Sequence, residues 1–278
     1  MDAETIAVRD AQQVARHEGL GSFDAAPVVL QVNDLRKVFS RKGTDDVVAV
    51  DGISFSLRAG ECVGLVGESG SGKSTTSSLI MRMIEPTAGK VMLDGVDVFA
   101  LPTRKLSDLY RHVQMVFQDP RGSFDPRRTL GAGIAEGLRN YRGMSRTAAL
   151  ARAKELLEHV GLPAEFSKRY AREVSGGQCQ RAAIARAIAL EPKLLICDEA
   201  TSALDVTVQQ GIVSLLGRLR AESGMAVLFV CHDIALAQQM CDRILVMAGG
   251  KIVESGDAHT VISNPQHPYT RQLVDSVL

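Results

Sequence analysis

Gly67, Glu68, Ser69, Gly70, Ser71, Gly72, Lys73 and Ser74 follow one another and fit the pattern G-x-x-x-x-G-K-[ST] in full. Such a loop turns successive backbone N–H groups inward, toward the α- and β-phosphates of a nucleotide. Lys73 can reach the β- and γ-phosphates as a compact cation, and Ser74 can offer its hydroxyl to Mg²⁺. Farther on, the apolar run Leu194-Leu195-Ile196-Cys197 delivers two adjacent carboxylates, Asp198 and Glu199. Alone these would read as an ordinary acidic turn, but a phosphate loop needs a metal carboxylate. Asp198 suits Mg²⁺, and Glu199 can polarise an attacking water as general base. Between the two motifs stands Ser175-Gly176-Gly177-Gln178, which on its own reads fairly as a polar helix cap. The chemistry implied is binding and hydrolysis of ATP with Mg²⁺.

These residues need a scaffold of strands and helices. Glu61–Val66 reads as a short buried strand entering the phosphate loop, and Ser74–Met83 as the helix leaving it. The partial positive charge of that helix start lies behind the phosphates. Residues 1–27 are polar and Ala-rich and read as an extension outside the fold, helical in part around Ile6–Val14. Residues 28–272 form the main domain, and 273–278 a short tail. The runs Val28–Val32, Val47–Val50 and Ile53–Leu57, separated by turn residues, predict an antiparallel sheet, and Lys90–Gly95 a hairpin. Residues from about 120 to 174 differ in character and predict a helical insertion. Within it, Leu150, Ala153, Leu156, Leu157 and Val160 keep helical spacing until Gly161. A helix over Gln178–Leu190, a strand at Leu194–Cys197, a helix over Val206–Glu222 and a strand at Ala226–Cys231 follow, then another helix and a last hairpin. Such alternation predicts an α/β fold with a mainly parallel sheet.

Composition narrows the function. The chain has 278 residues, 45% hydrophobic and 23% charged, with 32 basic and 32 acidic side chains. That is ample for a globular core, and the zero net charge offers no global field for nucleic acid or anionic lipid. Trp is absent and aromatics are 4%, which argues against a stacking platform for single strands. Nucleic acid is not expected as a partner. Cys62, Cys179, Cys197, Cys231 and Cys241 form no C-x-x-C pair and read as small core residues in a reducing compartment. No run approaches the roughly 18 apolar residues that span a bilayer, and Met1-Asp2-Ala3-Glu4 does not open like a signal peptide. A cytosolic chain that meets a membrane through a partner is expected.

The ordered set of phosphate loop, Gln118, Ser175-Gly176-Gly177-Gln178, Asp198-Glu199, Ser202-Ala203-Leu204-Asp205 and His232 resembles the ATP-binding-cassette family over nearly the whole chain after the extension. The resemblance implies a P-loop NTPase (RecA-like) core with an N-terminal antiparallel β subdomain and an inserted α-helical subdomain. It also implies that two domains pack head to tail, so that Ser175, Gly176, Gly177 and Gln178 close on nucleotide held by the opposite domain. Gln118 would then touch Mg²⁺ and the attacking water and couple the insertion to nucleotide state. His232 would bond the γ-phosphate and orient Glu199, Thr75 would join the loop's phosphate contacts, and Phe39 would stack on adenine. Read on residues alone, Phe39 could equally be core, and His232 a strand-end cap.

Two departures from the family pattern stand out: Val174 where Leu is usual, and Cys179 where a basic residue is frequent. The lost charge could weaken a phosphate or interface contact. Gln118-Asp119-Pro120 with Ser123–Arg127, and Val253–Gly256 with Asn264–Thr270, resemble the oligopeptide, dipeptide and nickel importers of bacteria. That branch implies permease partners, a homodimer or a heterodimer with a sister subunit, an indirect link to a solute-binding protein, and a place on the cytoplasmic face of the cell membrane. His267, between prolines, reads as a turn residue. A soluble cassette acting on DNA or ribosomes would call for a zinc insertion, coiled coil or second cassette. A P-loop kinase or GTPase would leave Ser175–Gln178 unexplained. A non-hydrolysing regulatory subunit is disfavoured by Glu199 and His232.

Overall fold

The computed structural model describes residues 23–40, 45–201 and 204–276. The helix expected around Ile6–Val14, and Ser202 and Ala203, lie outside the described residues. The N-terminal part forms a four-stranded antiparallel sheet in the order β2-β1-β4-β5, from β1 (Val28–Phe39), β2 (Val47–Arg58), β4 (Ala88–Leu93) and β5 (Val96–Asp97). A six-stranded sheet runs β10-β9-β3-β8-β7-β6. Its members are β3 (Cys62–Val66), β6 (Val113–Val116), β7 (Leu194–Asp198), β8 (Ala226–Cys231), β9 (Arg243–Ala248) and β10 (Lys251–Asp257). Its pairings are parallel except for the β9–β10 hairpin.

The apolar strands are buried on both faces, as parallel strands between two layers must be. Period-two alternation divides their side chains between two cores. Val63, Leu65, Leu228, Val230 and Leu245 face the antiparallel sheet with Leu30, Leu35 and Leu57. Cys62, Val66, Leu195, Phe229 and Val246 face the helices. The helices are α1 (Lys73–Ile80), α2 (Leu106–His112), α3 (Leu130–Arg142), α4 (Arg146–His159), α5 (Gly176–Ile188), α6 (Val206–Ser223), α7 (Ile234–Met240), α8 (Ala258–Ser263) and α9 (Pro268–Asp275). In the helical region, Thr129 and Ser145 cap α3 and α4 by accepting from Ala132 and Ala148 N–H at 3.3 and 3.2 Å. These caps satisfy amides a helix start leaves open. Among the described residues no helix is long and apolar enough to cross a membrane.

Three local expectations are corrected. The runs Val47–Val50 and Ile53–Leu57 are one strand, because Gly52 at φ 69° absorbs the irregularity within β2 without ending its pairing to β1. β1 itself continues to Phe39, well past Val32. The helix after the phosphate loop stops at Ile80, since Arg82 at φ 52° leaves the right-handed helical region before Met83.

Candidate nucleotide site

Four adjacent parallel strands, β3, β8, β7 and β6, deliver candidate residues from the same edge of the sheet. The phosphate loop follows β3, His232 follows β8, Asp198-Glu199 end β7, and Gln118 lies two residues beyond β6. The carboxyl end of such strands is where open α/β sheets receive ligands.

Two of the loop's glycines, Gly67 and Gly72, are set by close packing. Gly72 caps α1 at φ 109°, and a Cβ there would stand 2.2 Å from the Ala49 carbonyl oxygen. No side chain caps this helix start, which leaves its N–H groups and the helix dipole for an anion. Ser71 O accepts from Gly250 N at 3.0 Å, so the β9–β10 turn braces the loop. The buried Lys73 ammonium donates to Gly67 O at 2.7 Å and Glu68 O at 2.8 Å. Burial lowers its pKa, opposed by the carboxylates of Glu199, Asp198 and Glu68. Asp198 shows the converse: burial raises its pKa, while the Ser74 hydrogen bond and Lys73 pull it back. Each group depends on the other to stay charged in this poorly solvated place.

Ser74 Oγ donates to Asp198 Oδ1 at 3.3 Å. A hydroxyl and a carboxylate, both hard oxygen donors, meet beside the phosphate cradle. That is the donor set Mg²⁺ takes when phosphates complete its shell, so the residues present fit the cation. Glu199 follows in the left-handed conformation, φ 47°, with its N–H bonded to Val230 O at 2.9 Å. A non-glycine residue held there costs about 1–3 kcal/mol, and such strain gathers at functional sites. Gln118 Nε2 donates to Glu199 Oε2 at 2.9 Å, and His232 Nδ1 lies 4.0 Å from Glu199 Oε1. A water beside Glu199 would find a carboxylate acceptor, with an amide and an imidazole close by.

The structure thus brings Lys73, Ser74 and Asp198 together, and Glu199 with Gln118 and His232. Ser175, Gly176, Gly177 and Gln178 form the start of α5. Ser175 Oγ accepts from Gln178 N at 3.2 Å, and Gln178 Oε1 accepts from Ser175 N at 2.9 Å, a reciprocal capping box. The Ser175 hydroxyl proton stays available to a further acceptor. Gly177 has a packing reason as well: a Cβ there would come within 2.4 Å of Val208 Cγ1 on α6. Phe39 ends β1 in register with Val47 and is 42% exposed, with Lys37 Nζ 5.0 Å from its ring centroid. The core reading of Phe39 therefore fails. Its edge of the sheet borders the loop, since Ala49, on the same partner strand, touches Gly72. Cys179 is fully buried, and burial pushes its thiol up to about 11. The position faces the interior, so the basic residue frequent there is no loss from this chain's solvent surface.

Two contacts escape sequence reasoning. Arg121 donates to Val174 O at 2.8 Å, tying the segment after Gln118 to the residue before the signature Ser175–Gln178. Gln118, Arg121, Gly176 and Leu204 share the wall of a cavity of about 210 Å³. Tyr269 Oη accepts from Glu68 N at 2.9 Å. Nothing local marks Arg121, whereas Tyr269 stands inside the Asn264–Thr270 run.

Comparison with known proteins places the chain in a family. The ABC transporter family model matches residues 50–202. A protein of Brucella ovis provisionally named a peptide import ATP-binding protein is 44% identical over 250 residues, covering 90% of this chain and 78% of that one. The glutathione import ATP-binding protein GsiA of Salmonella typhi is 48% identical over 243 residues, 87% of this chain but 39% of GsiA. Among solved structures, the dimeric post-hydrolysis state of the ATP-binding cassette MJ0796 bound to ADP and Pi aligns with TM-score 0.75 and 31% identity, covering 82% of this chain and 98% of that one. The cbiO1 subunit of Clostridium perfringens, part of the ABC transporter complex cbiONQ, aligns with TM-score 0.74 and 26% identity over 85% and 91% of the two chains. With the strand-edge site and these relatives together, the chain belongs to the ABC transporter family.

Proposed function

We propose that this chain is the ATP-hydrolysing subunit of an importer for peptides or peptide-like small solutes. It works as one of two paired cassettes, docked through permease subunits at the cytoplasmic face of the membrane. The observation that carries the reading is the convergence on one sheet edge of the uncapped α1 start with Lys73, the Ser74–Asp198 pair, and Glu199 beside Gln118 and His232. The import relatives supply the direction of transport and the solute class.

In this reading Lys73 exchanges the Gly67 and Glu68 carbonyls for the β- and γ-phosphates. The backbone N–H groups from Gly70 to Thr75 cradle the phosphates, and Phe39 stacks on the adenine. Ser74 and Asp198 would hold Mg²⁺, with Gln118 nearby, and the cation would supply positive charge to neutralise the phosphates. Glu199 takes a proton from the attacking water as its oxygen bonds to the γ-phosphorus and the bond to the β–γ bridging oxygen breaks, leaving ADP and phosphate. Gln118 and His232 keep Glu199 and the water aligned. Catalysis rests on position and charge rather than on covalent chemistry. Ser175, Gly176, Gly177 and Gln178 complete the site of the facing cassette. The Arg121–Val174 bond makes the segment after Gln118 and the signature move as one, so nucleotide state reaches the helical insertion.

Glu199→Gln tests the core of this reading. The variant keeps the shape and the Gln118 neighbour but removes the base. It should bind ATP, lose turnover by about 10²–10⁴-fold, and run on sizing as an ATP-dependent pair. ATP hydrolysis near the wild-type rate would refute the role of Glu199.

A further inference from the structure

The C-terminal Asn264–Thr270 run reaches the phosphate loop. Glu254 on β10 accepts from Gln266 N through Oε1 at 2.8 Å and from His267 N through Oε2 at 2.9 Å. These bonds fix the approach to α9. His267 Nδ1 accepts from Tyr269 N at 3.2 Å and caps that helix, with Pro268 at its first position, where a missing N–H costs nothing. Arg271 Nε closes the turn on Pro265 O at 3.0 Å. Leu273 and Val274 are buried in the helix-side core, and the half-buried Tyr269 ring packs against it. The hydroxyl of Tyr269 is thereby held where Glu68 N donates to it at 2.9 Å.

Glu68 is one of the two residues, with Gly67, whose carbonyls hold the resting lysine. Its carbonyl accepts from Lys73 Nζ at 2.8 Å and from Ser71 N at 3.2 Å, which uses both lone pairs of that oxygen. The tail grips Glu68 by its N–H, while its C=O orders the loop's turn and parks the cation. A glycine-rich loop has many backbone conformations to lose on binding. A phenol presented by a packed helix from 201 residues away in sequence selects one of them in advance.

We propose that Tyr269 is a positioning residue for the phosphate loop, and that the Glu254-clamped tail pre-sets the loop for nucleotide. The proposal rests on the ATP-site reading above. Tyr269→Phe keeps the packed ring and removes only the acceptor. It should raise the Kd for a ribose-labelled fluorescent ATP analogue, and the KM for ATP more than it lowers kcat. The expected shift is about two- to tenfold, the effect of one neutral hydrogen bond. Deuterium uptake in a peptide spanning residues 62–72 should rise in the same variant, with the melting temperature unchanged. Glu254→Ala should weaken the analogue in the same direction, and the double variant should be no weaker than the worse single one, because both act through one contact. Wild-type affinity in Tyr269→Phe, or losses that multiply in the double variant, would overturn the proposal. Lys73→Ala separates the two readings. If it loses the analogue while Tyr269→Phe does not, only the tail's role fails; if it keeps the analogue, the ATP-site reading fails and the proposal with it.

Discussion

The two helix starts proposed to meet phosphate are built in opposite ways. At α1 the N-cap is Gly72, no side chain closes the helix, and the nearest cation is parked on loop carbonyls. At α5 the N-cap is Ser175, and a reciprocal pair of bonds with Gln178 satisfies two of the amides at the helix end, those of Ser175 and Gln178, within the chain. The first start is open and needs an anion to complete it. The second is partly closed by its own side chains, with a serine hydroxyl whose proton remains to be given. An ATP cradle and a lid for another chain's ATP call for such a difference: one must wait with donors unsatisfied, and the other must stay folded with nothing bound.

Removing Lys73 should break the open end most severely. Lys73→Ala deletes the one cation on the loop's own helix, and truncating a buried charged partner costs about 2–5 kcal/mol. ATP affinity should fall at least about tenfold, as fluorescence titration with an ATP analogue would show. Equal affinity would mean that the loop does not cradle phosphate.

Ser175→Ala should sharpen the contrast. Loss of an N-cap costs about 1 kcal/mol of stability, visible as a lower melting temperature. Affinity for ATP on the same chain should stay near wild type, while turnover of the pair drops. A loss of affinity in the isolated monomer would place the serine in its own chain's site and erase the distinction.

Phe39→Ala should have the smallest effect on stability. The ring is 42% exposed, so stability should change by no more than about 0.5 kcal/mol. Loss of aromatic–base stacking worth about 1–3 kcal/mol would weaken ATP by about five- to 150-fold. A clear drop in melting temperature with unchanged ATP affinity would return Phe39 to a packing role.

Much of the fold was legible because the apolar runs of β3, β7 and β8 are continuous and run into a polar or glycine residue: Gly67, Asp198 and His232. The loop and the Asp198-Glu199 pair are local in sequence, so spacing reveals them. The β2 join at Gly52 was not legible, since a glycine reads the same whether it bends a strand or ends one. The left-handed turn at Glu199 leaves no mark in composition. Arg121 with Val174, and Tyr269 with Glu68, meet 53 and 201 residues apart in sequence; only the folded sheet and tail bring such pairs together. Gly177 shows a different ambiguity: the glycine that suits a phosphate-facing helix start is also demanded by Val208 on α6.

That last point shapes the most direct test of the central claim, that one chain's signature completes the other chain's site. Substituting Gly177 would disturb packing within its own chain, so Ser175→Arg is the cleaner lesion. Mix Ser175→Arg with Lys73→Ala and measure ATPase activity against each variant alone, with cross-linking to count mixed pairs. In a mixed homodimer the Ser175→Arg chain keeps an intact cradle, and the Lys73→Ala chain lends it an intact signature, so one composite site returns. The account predicts activity above either variant alone, rising with the fraction of mixed pairs. Mixed pairs with no recovery would contradict it.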